Sequence, residues 1–261
     1  MFVKKEWNAK YLGIIALLCM NSIFIFCMSF SRAGQDIFSA INAGAVETVE
    51  NLIAENKAVV NSRNSAGKTP LIAASLNDRK AIIRILLQSG ARVNDQDASG
   101  RSALMLACAG GNVEIISMLL DKGAELKMKD NNGWSPFMHA VFEGQESVIV
   151  FLLNRGVNLE EKDNYGWTSL HIASQFSNPK VISLLLKKKA DINARDKEGM
   201  TPLMLAILER KTENAKELLN SGADSMLKDK SGKTALYYAQ KNSLGEIIKL
   251  LSSRDDKTDS Q

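Results

Sequence analysis

The chain has 261 residues, of which 45% are hydrophobic and 24% are charged, a composition typical of a folded globular protein and not of a disordered one. Its formal net charge is +4, but the first 33 residues hold four basic side chains against one acidic one. The remainder holds the other 29 basic and 28 acidic side chains. This nearly neutral body lacks the charge expected of a general nucleic-acid-binding or acidic-membrane-binding protein.

The first predicted element is a leader at residues 1–33. A short cationic opening with Lys4, Lys5 and Lys10 precedes residues 11–30, which contain no charged side chain. Basic residues before an apolar run and acidic residues after it orient a chain with its amino end in the cytoplasm and its body outside. The leader therefore predicts export to the periplasm or the medium, and its form inclines us to a bacterial cell.

Two fates of this leader stay open. Ser31 and Ala33 are small residues at the spacing of a signal-peptide cleavage site, and we favour cleavage after Ala33. An uncharged run of twenty residues is also long enough to span a bilayer. The alternative is therefore retention as an inner-membrane anchor with the body facing outward, in which case residues 11–30 provide the membrane contact.

Cys108 is the one cysteine that follows the leader. The mature body therefore cannot form an intramolecular disulfide, and its stability must come from packing. Cys108 lies in the apolar stretch ALMLACAG. This position predicts a buried, unreactive thiol and not a nucleophile.

The body is built on a period of 33 residues. A glycine recurs at this spacing, at Gly67, Gly100, Gly133, Gly166, Gly199 and Gly232. A leucine or phenylalanine follows each glycine by four residues, and an alanine follows it by seven. A fixed period of this length indicates a stack of supersecondary units, each of which buries its apolar face against its neighbours.

The repeated sequence resembles the ankyrin repeat. The family signature G-x-T-P-L-H-x-A is similar to GKTPLIAA from Gly67, GWTSLHIA from Gly166 and GMTPLMLA from Gly199. The resemblance implies an all-α solenoid of helix-turn-helix units, with six full repeats and a truncated capping repeat at the amino end.

The array is expected at residues 34–252, and its truncated first repeat opens at Asp36. The polar residues 253–261 are predicted to form a frayed or disordered tail. One departure from the pattern falls at Lys189, which replaces the glycine that ends the second helix in most other repeats. A lysine pays a penalty in the left-handed conformation, so we expect a local weak point there.

The recurring residues also predict the local structure of each unit. The turn glycine supplies a positive φ. Thr69 and Thr201 are expected to cap the helix that follows, with Pro70 and Pro202 at its first position. The glycines that end the second helices are expected to be left-handed, namely Gly90, Gly123, Gly156 and Gly222.

The sequence contains no recognised catalytic motif. His171 occupies the motif histidine, which the resemblance implies is bonded to the turn, and His139 is expected to face the groove. Without a second histidine at helical spacing or a cysteine cluster, we predict no metal site and no cofactor. The aspartates that precede the turns recur with the period and are interpreted as structural. We therefore predict that the protein is not an enzyme.

Specific function in a solenoid lies in the residues that change between repeats. The resemblance implies that partners bind at the turn tips and at the groove-facing end of the first helix. These positions give ten candidate protein-binding residues: Trp134, Trp167, Tyr165, Met200, Phe142, Phe176, Asn131, Asn132, Asn164 and Arg101. The first six are predicted to form a strip along the concave side, as interaction hot spots do. The alternative is that each tryptophan stacks over its own turn.

The sequence thus favours an exported, non-enzymatic module that binds a protein or peptide and not nucleic acid. The alternative function is a membrane-tethered structural spacer or scaffold at the cell envelope. The lysine run at residues 187–189 is interpreted as a solvated helix end, favoured by the helix dipole. A patch for an acidic partner is the alternative for that run.

Overall fold

The computed structural model describes residues 36–258, with the side chains of residues 36–253. This part of the chain forms fourteen α-helices and one 3₁₀ helix, and it contains no β-strand. The all-α prediction is confirmed. The predicted leader at residues 1–33 and the last three residues of the predicted tail lie outside the described residues.

The described helices follow one another in pairs whose members are separated by two or three residues. In chain order they are α1 (Ile37–Ala43) and α2 (Val46–Glu55), α3 (Pro70–Leu76) and α4 (Lys80–Gln88), α5 (Ala103–Gly110) and α6 (Val113–Asp121), α7 (Pro136–Phe142) and α8 (Glu146–Leu153), α9 (Ser169–Phe176) and α10 (Pro179–Lys187), α11 (Pro202–Leu208) and α12 (Thr212–Asn220), and α13 (Ala235–Lys241) and α14 (Gly245–Thr258). The 3₁₀ helix, Lys57–Asn61, follows α2.

The first helices α1, α3, α5, α7 and α11 begin at a side-chain cap. The Thr69 hydroxyl accepts a hydrogen bond from the Ile72 N–H at 3.3 Å, and Pro70 takes the first helical position, where no N–H is needed. Thr201 and Pro202 start α11 in the same way. These predicted caps are confirmed.

The first helices of successive pairs pack side by side and form the inner layer of the core. α5 lies against α3 and α7, and α9 lies against α7 and α11. The recurring alanines of these helices are at most 2% exposed, namely Ala74, Ala107, Ala140, Ala173, Ala206 and Ala239. A larger side chain there would force neighbouring helices apart, which is why the residue recurs.

The turns that precede the first helices stack in a row. The Asn131 N–H donates to the Ser99 carbonyl and the Asn164 N–H donates to the Asn132 carbonyl, each at 3.0 Å. Gly166 has a φ of +84°, and a Cβ there would lie 2.8 Å from the Lys197 nitrogen of the next turn. The turn glycine is therefore required both by its backbone conformation and by the close approach of the neighbouring turn.

The second helices α4, α6, α8, α10 and α12 are followed by a residue in the left-handed conformation. Gly90, Gly123, Gly156 and Gly222 all have positive φ, as predicted. Lys189 adopts the same conformation, with a φ of 66°. The helix α10 therefore ends as its neighbours do, but with a residue that pays a steric penalty.

The last helix passes the predicted end of the array. α14 runs to Thr258, so residues 253–258 continue the helix past the boundary predicted at residue 252. The reason is that no glycine or proline interrupts this polar segment, and its residue types are compatible with a helix.

Candidate protein-binding surface

An aspartate that is buried or partly buried organises each turn after the first. One oxygen of Asp130, Oδ1, accepts the N–H groups of Asn132 and Trp134, both at 2.9 Å. The same two bonds recur at Asp97, Asp163, Asp196 and Asp229. In the first turn Asn64 accepts equivalent bonds through its amide oxygen. The periodic carboxylates are therefore parts of the turns.

The two tryptophans join each turn to the next through the second aspartate oxygen. The Trp134 Nε1–H donates to Asp163 Oδ2 at 2.9 Å, and the Trp167 Nε1–H donates to Asp196 Oδ2 at 3.0 Å. Each indole hydrogen bond therefore goes to the following turn. Both rings are partly buried and pack against the core.

Five aromatic side chains form a continuous row on one face of the middle repeats, and we call them the aromatic strip. Their ring centroids are 5.2 Å apart for Trp134 and Phe142, 4.9 Å for Phe142 and Phe176, 6.3 Å for Phe176 and Trp167, and 6.4 Å for Trp167 and Tyr165. Tyr165 is 64% exposed and Phe176 is 41% exposed. These separations are those of favourable aromatic pairs.

Met200 does not extend the strip. Its side chain is 7% exposed and belongs to the core, so the prediction that Met200 lies on the surface is wrong. Met200 shares the register of Trp134 and Trp167, but its unbranched thioether side chain can fold into a gap between helices that an indole ring cannot enter.

The polar candidates have structural partners of their own. The Asn131 Nδ2–H donates to the Ala98 carbonyl at 3.1 Å, and Asn164 makes the equivalent bond to Asn131 at 2.9 Å. Arg101 binds the carboxylate of Asp97 at 2.9 Å. Asn131 and Asn164 remain exposed at the turn tips, whereas Arg101 is half-buried one turn away from the strip.

A groove of about 360 Å³ runs beside the strip. It is lined by Asn132, Trp134, Asp163, Tyr165, Trp167 and Phe176. Five of these six residues are among the ten predicted site residues. Asp163 was missed as a lining residue, because its place in the periodic pattern indicates a turn residue and does not reveal that its side chain also reaches the groove.

The family model of ankyrin repeats (3 copies) matches residues 37–130, 123–196 and 188–261. These matches cover most of the chain. The chain belongs to the ankyrin repeat family. Ankyrin repeats generally mediate protein–protein interaction, and ankyrin repeat domains bind protein partners.

Solved ankyrin structures resemble this array along most of its length. The human ASB11 ankyrin repeat domain superposes with a TM-score of 0.70 at 26% identity, covering 78% of this chain and 91% of that one. The ankyrin repeat domain of Bcl-3, a member of the IkappaB protein family, gives a TM-score of 0.69 at 25% identity, covering 84% and 99%. No curated protein sequence matches the chain.

The two histidines of the ankyrin array are both held by hydrogen bonds. His171 is buried, its Nδ1 accepts the Thr168 N–H at 3.1 Å, and its Nε2 lies 3.2 Å from the Met200 carbonyl, as predicted for the motif histidine. The side chain of His139 is 13% exposed and bonds to Asp130 at 3.1 Å. Its ring also contacts that of Trp134, a lining residue of the groove, with centroids 5.5 Å apart, and its facing the groove stays a prediction. Burial lowers the pKa of both imidazoles.

A second cavity of about 450 Å³ lies where the loops that follow α6 and α8 meet the start of α7. Its lining includes Leu126, Phe137, Arg155 and Val157. None of the predicted site residues lines it. It was missed because its lining residues occupy ordinary repeat positions, and nothing in the sequence pattern marks a gap between them.

The rest of the ankyrin array carries no sign of a reactive centre in its described residues. No group of three or more histidine, cysteine, aspartate or glutamate side chains within that part of the chain could hold a metal ion. Cys108 is buried, and desolvation strongly raises the pKa of its thiol. Between residues 36 and 258, no helix has both the length and the apolar character needed to cross a bilayer.

Proposed function

We propose that this protein is an exported, non-enzymatic interaction module that holds a protein or peptide partner on its aromatic strip. The observation that carries the proposal is the continuous row of five aromatic rings, two of them well exposed, on an otherwise polar surface. Exposed aromatics that cluster in this way are typical of interaction hot spots.

The most exposed members of the strip allow a test that leaves the fold intact. Tyr165 and Phe176 have no side-chain hydrogen bonds in the described structure, so a Tyr165→Ser, Phe176→Ser double variant removes ring surface without breaking the bonds between turns. Crosslinked partners are captured from the native host and identified by mass spectrometry. Tyr237→Ser, at a ring 40% exposed in the last repeat, is the matched control.

We expect a partner that wild type and the control both retain and that the double variant loses. Equal recovery by all three proteins, with unchanged thermal unfolding, would contradict the proposal. That result would favour the alternative, a membrane-tethered spacer or scaffold at the cell envelope, in which the array provides reach more than selective binding.

Export is a separate part of the proposal, and it is supported by the cationic opening and the uncharged residues 11–30. Sequencing the amino terminus of the mature protein from its host tests this part. A mature chain that starts at Gly34 would indicate cleavage, and an intact leader in the membrane fraction would indicate an anchor. An intact chain in the cytoplasm would contradict export.

The non-enzymatic part of the proposal is supported by how the polar residues are used. The turn aspartates each accept hydrogen bonds from their own turn, and His171 bonds to its own turn and the next. Catalysis needs different polar groups that converge at one place. Turnover of any substrate that a single substitution abolishes would overturn this part.

A further inference from the structure

The lining of the groove has the chemistry of a cation-binding site. It combines four aromatic rings, one carboxylate and one amide, without a lysine or arginine among the six described lining residues. The faces of aromatic rings attract a cation held within about 6 Å of the ring centre. The carboxylate of Asp163 adds a formal negative charge to the same lining.

Other repeats have a basic residue at the repeat position where the middle repeats have a tryptophan. Arg101 follows its turn aspartate by four residues and binds that carboxylate at 2.9 Å. Lys233 takes the same register in the last turn, with its Nζ 4.9 Å from the ring centroid of Tyr237. Trp134 and Trp167 occupy this register in the middle turns, so the chain supplies no cation there.

The turn carboxylates beside the strip are not neutralised by an ion pair. Asp163 and Asp196 accept hydrogen bonds from backbone and indole N–H groups. Asp130 is bonded to His139, whose pKa is lowered by burial, so the imidazole is uncharged at neutral pH. Among the side chains of residues 36–253, no lysine or arginine forms an ion pair with these three carboxylates.

The basic residues directly before these aspartates bind backbone carbonyl groups of the following turn and not the aspartate carboxylates. The Lys129 Nζ donates to the Lys162 carbonyl, and the Lys162 Nζ donates to the Arg195 carbonyl, both at 2.8 Å. The Arg195 guanidinium in turn donates to the Lys228 carbonyl. These side chains follow the edge of the stacked turns, and none of them lines the groove.

Exposed carboxylates flank the strip. Glu143 and Glu209 stand at the register of Phe176 in the repeats on either side, and Glu198 stands at the register of Tyr165 in the next turn. All three are exposed and form no ion pair with another side chain of residues 36–253. Lys197, also exposed, is the opposing charge in that turn. By register, the positions next to the strip therefore hold three acidic side chains and one basic one.

We propose that the groove receives an arginine side chain from an extended basic segment of the partner protein. This inference rests on the proposed function and names the chemistry of the partner. Arginine is preferred over lysine because its planar guanidinium can stack on an aromatic face while its N–H groups bind a carboxylate. The partner's cation would supply the positive charge that Arg101 and Lys233 supply in their own turns.

The test compares three small probes of similar size: N-acetyl-arginine amide, its uncharged isostere N-acetyl-citrulline amide, and N-acetyl-leucine amide. The isotope-labelled full-length chain, in dilute detergent, is titrated with each probe while the indole N–H signals of Trp134 and Trp167 are followed by NMR. We expect saturable shifts with the arginine probe and at least about tenfold weaker binding of the citrulline probe.

Two matched variants test the charge. Asp163→Asn removes a carboxylate from the groove, and its amide oxygen can keep the turn bonds, as Asn64 does in the first repeat. The variant also removes the acceptor of the Trp134 Nε1–H, so the citrulline probe is titrated with it as well, because that loss affects both probes whereas the loss of charge affects only the arginine probe. Asp97→Asn removes a turn carboxylate that Arg101 already pairs. The arginine probe is expected to bind Asp163→Asn several-fold more weakly than wild type and to bind Asp97→Asn unchanged.

The outcomes separate this inference from the proposed function. Equal affinity for the arginine and citrulline probes would contradict the proposal that the groove binds a cation. Shifts with the leucine probe alone would contradict it as well. Either result would still support the strip as a binding surface. If none of the three probes shifts the indole signals, the proposal of a cation-binding groove is also contradicted. In that case partner capture with the Tyr165→Ser, Phe176→Ser variant still decides the proposed function.

Discussion

The turn aspartate plays the same structural role in every turn after the first, whereas the group bonded to its second oxygen varies between repeats. One carboxylate oxygen always accepts the same two backbone bonds. The other is taken by a guanidinium from Arg101, an imidazole from His139, an indole from Trp134 or Trp167, or a hydroxyl from Tyr238. Variation between repeats is therefore concentrated in what meets the second oxygen.

The buried histidines predict how stability depends on pH. Desolvation lowers the pKa of His171 below its ordinary 6.5, so the unfolded chain binds a proton more readily than the native one. Stability is fully present above pH 6.5 and is lost as the pH falls towards the folded pKa, by at most about 1.4 kcal/mol per pH unit for each such histidine. Asp97 and Asp229 titrate below their ordinary value of 3.8 and stay ionised in this window.

Urea unfolding at about pH 7.5 and pH 5.5 measures this loss. His171→Met is the test variant, because Met105 occupies the same register and accepts the corresponding cap N–H at 3.4 Å through its sulfur. We expect the variant to lose less stability than wild type between the two pH values. An equal loss in both proteins would exclude His171 as a source of the pH dependence.

Each helical element is fixed at its ends by local chemistry and along its length by neighbours. Hydroxyl caps and prolines start α3, α7 and α11, and left-handed residues follow α4, α6, α8, α10 and α12. Packing of α5 between α3 and α7 then buries six of its eight residues. Because a single pair cannot bury this surface, the stability of each element depends on the adjacent pairs.

Lys189 is the exception among these helix ends, because a residue other than glycine adopts the left-handed conformation there at a cost in stability. Its φ of 66° is the conformation in which Gly156 and Gly222 end the equivalent helices. Lys189→Gly should raise the free energy of unfolding by about 0.5–1 kcal/mol, since relief of the steric penalty exceeds the added entropy of the unfolded chain. Urea unfolding checks the value, and Lys187→Gly, inside α10, should instead destabilise. A neutral or destabilising Lys189→Gly would contradict the account.

The sequence predicts the elements well because the signals for them are local. The period, the caps and the left-handed glycines each depend on a few neighbouring residues, and all appear as predicted at the positions described. The end of the last helix was placed too early, since the polar residues 253–258 carry no stop signal but also no apolar periodicity. Helix ends of this kind depend on weak, summed propensities.

At the scale of the whole molecule, the stacked turns bring residues 33 positions apart into adjacent places. The same stacking brings Phe142 and Phe176, which are 34 positions apart, to 4.9 Å and links them to both tryptophans. The positions of these residues within the repeat were enough to predict that the five side chains of the aromatic strip meet. They were not enough to predict that Met200 turns into the core or that each indole bonds to the next turn, because those outcomes depend on side-chain conformation.

Partner contact at the aromatic strip is the central claim, and site-specific photocrosslinking in the native host tests it most directly. A photoreactive amino acid replaces Tyr165 in one protein and Val150 in another. Val150 lies on α8 and is 41% exposed, but it is outside the strip. The account predicts a discrete protein adduct from position 165 and none from position 150. Adducts from position 150 alone, or the same adducts from both positions, would contradict it.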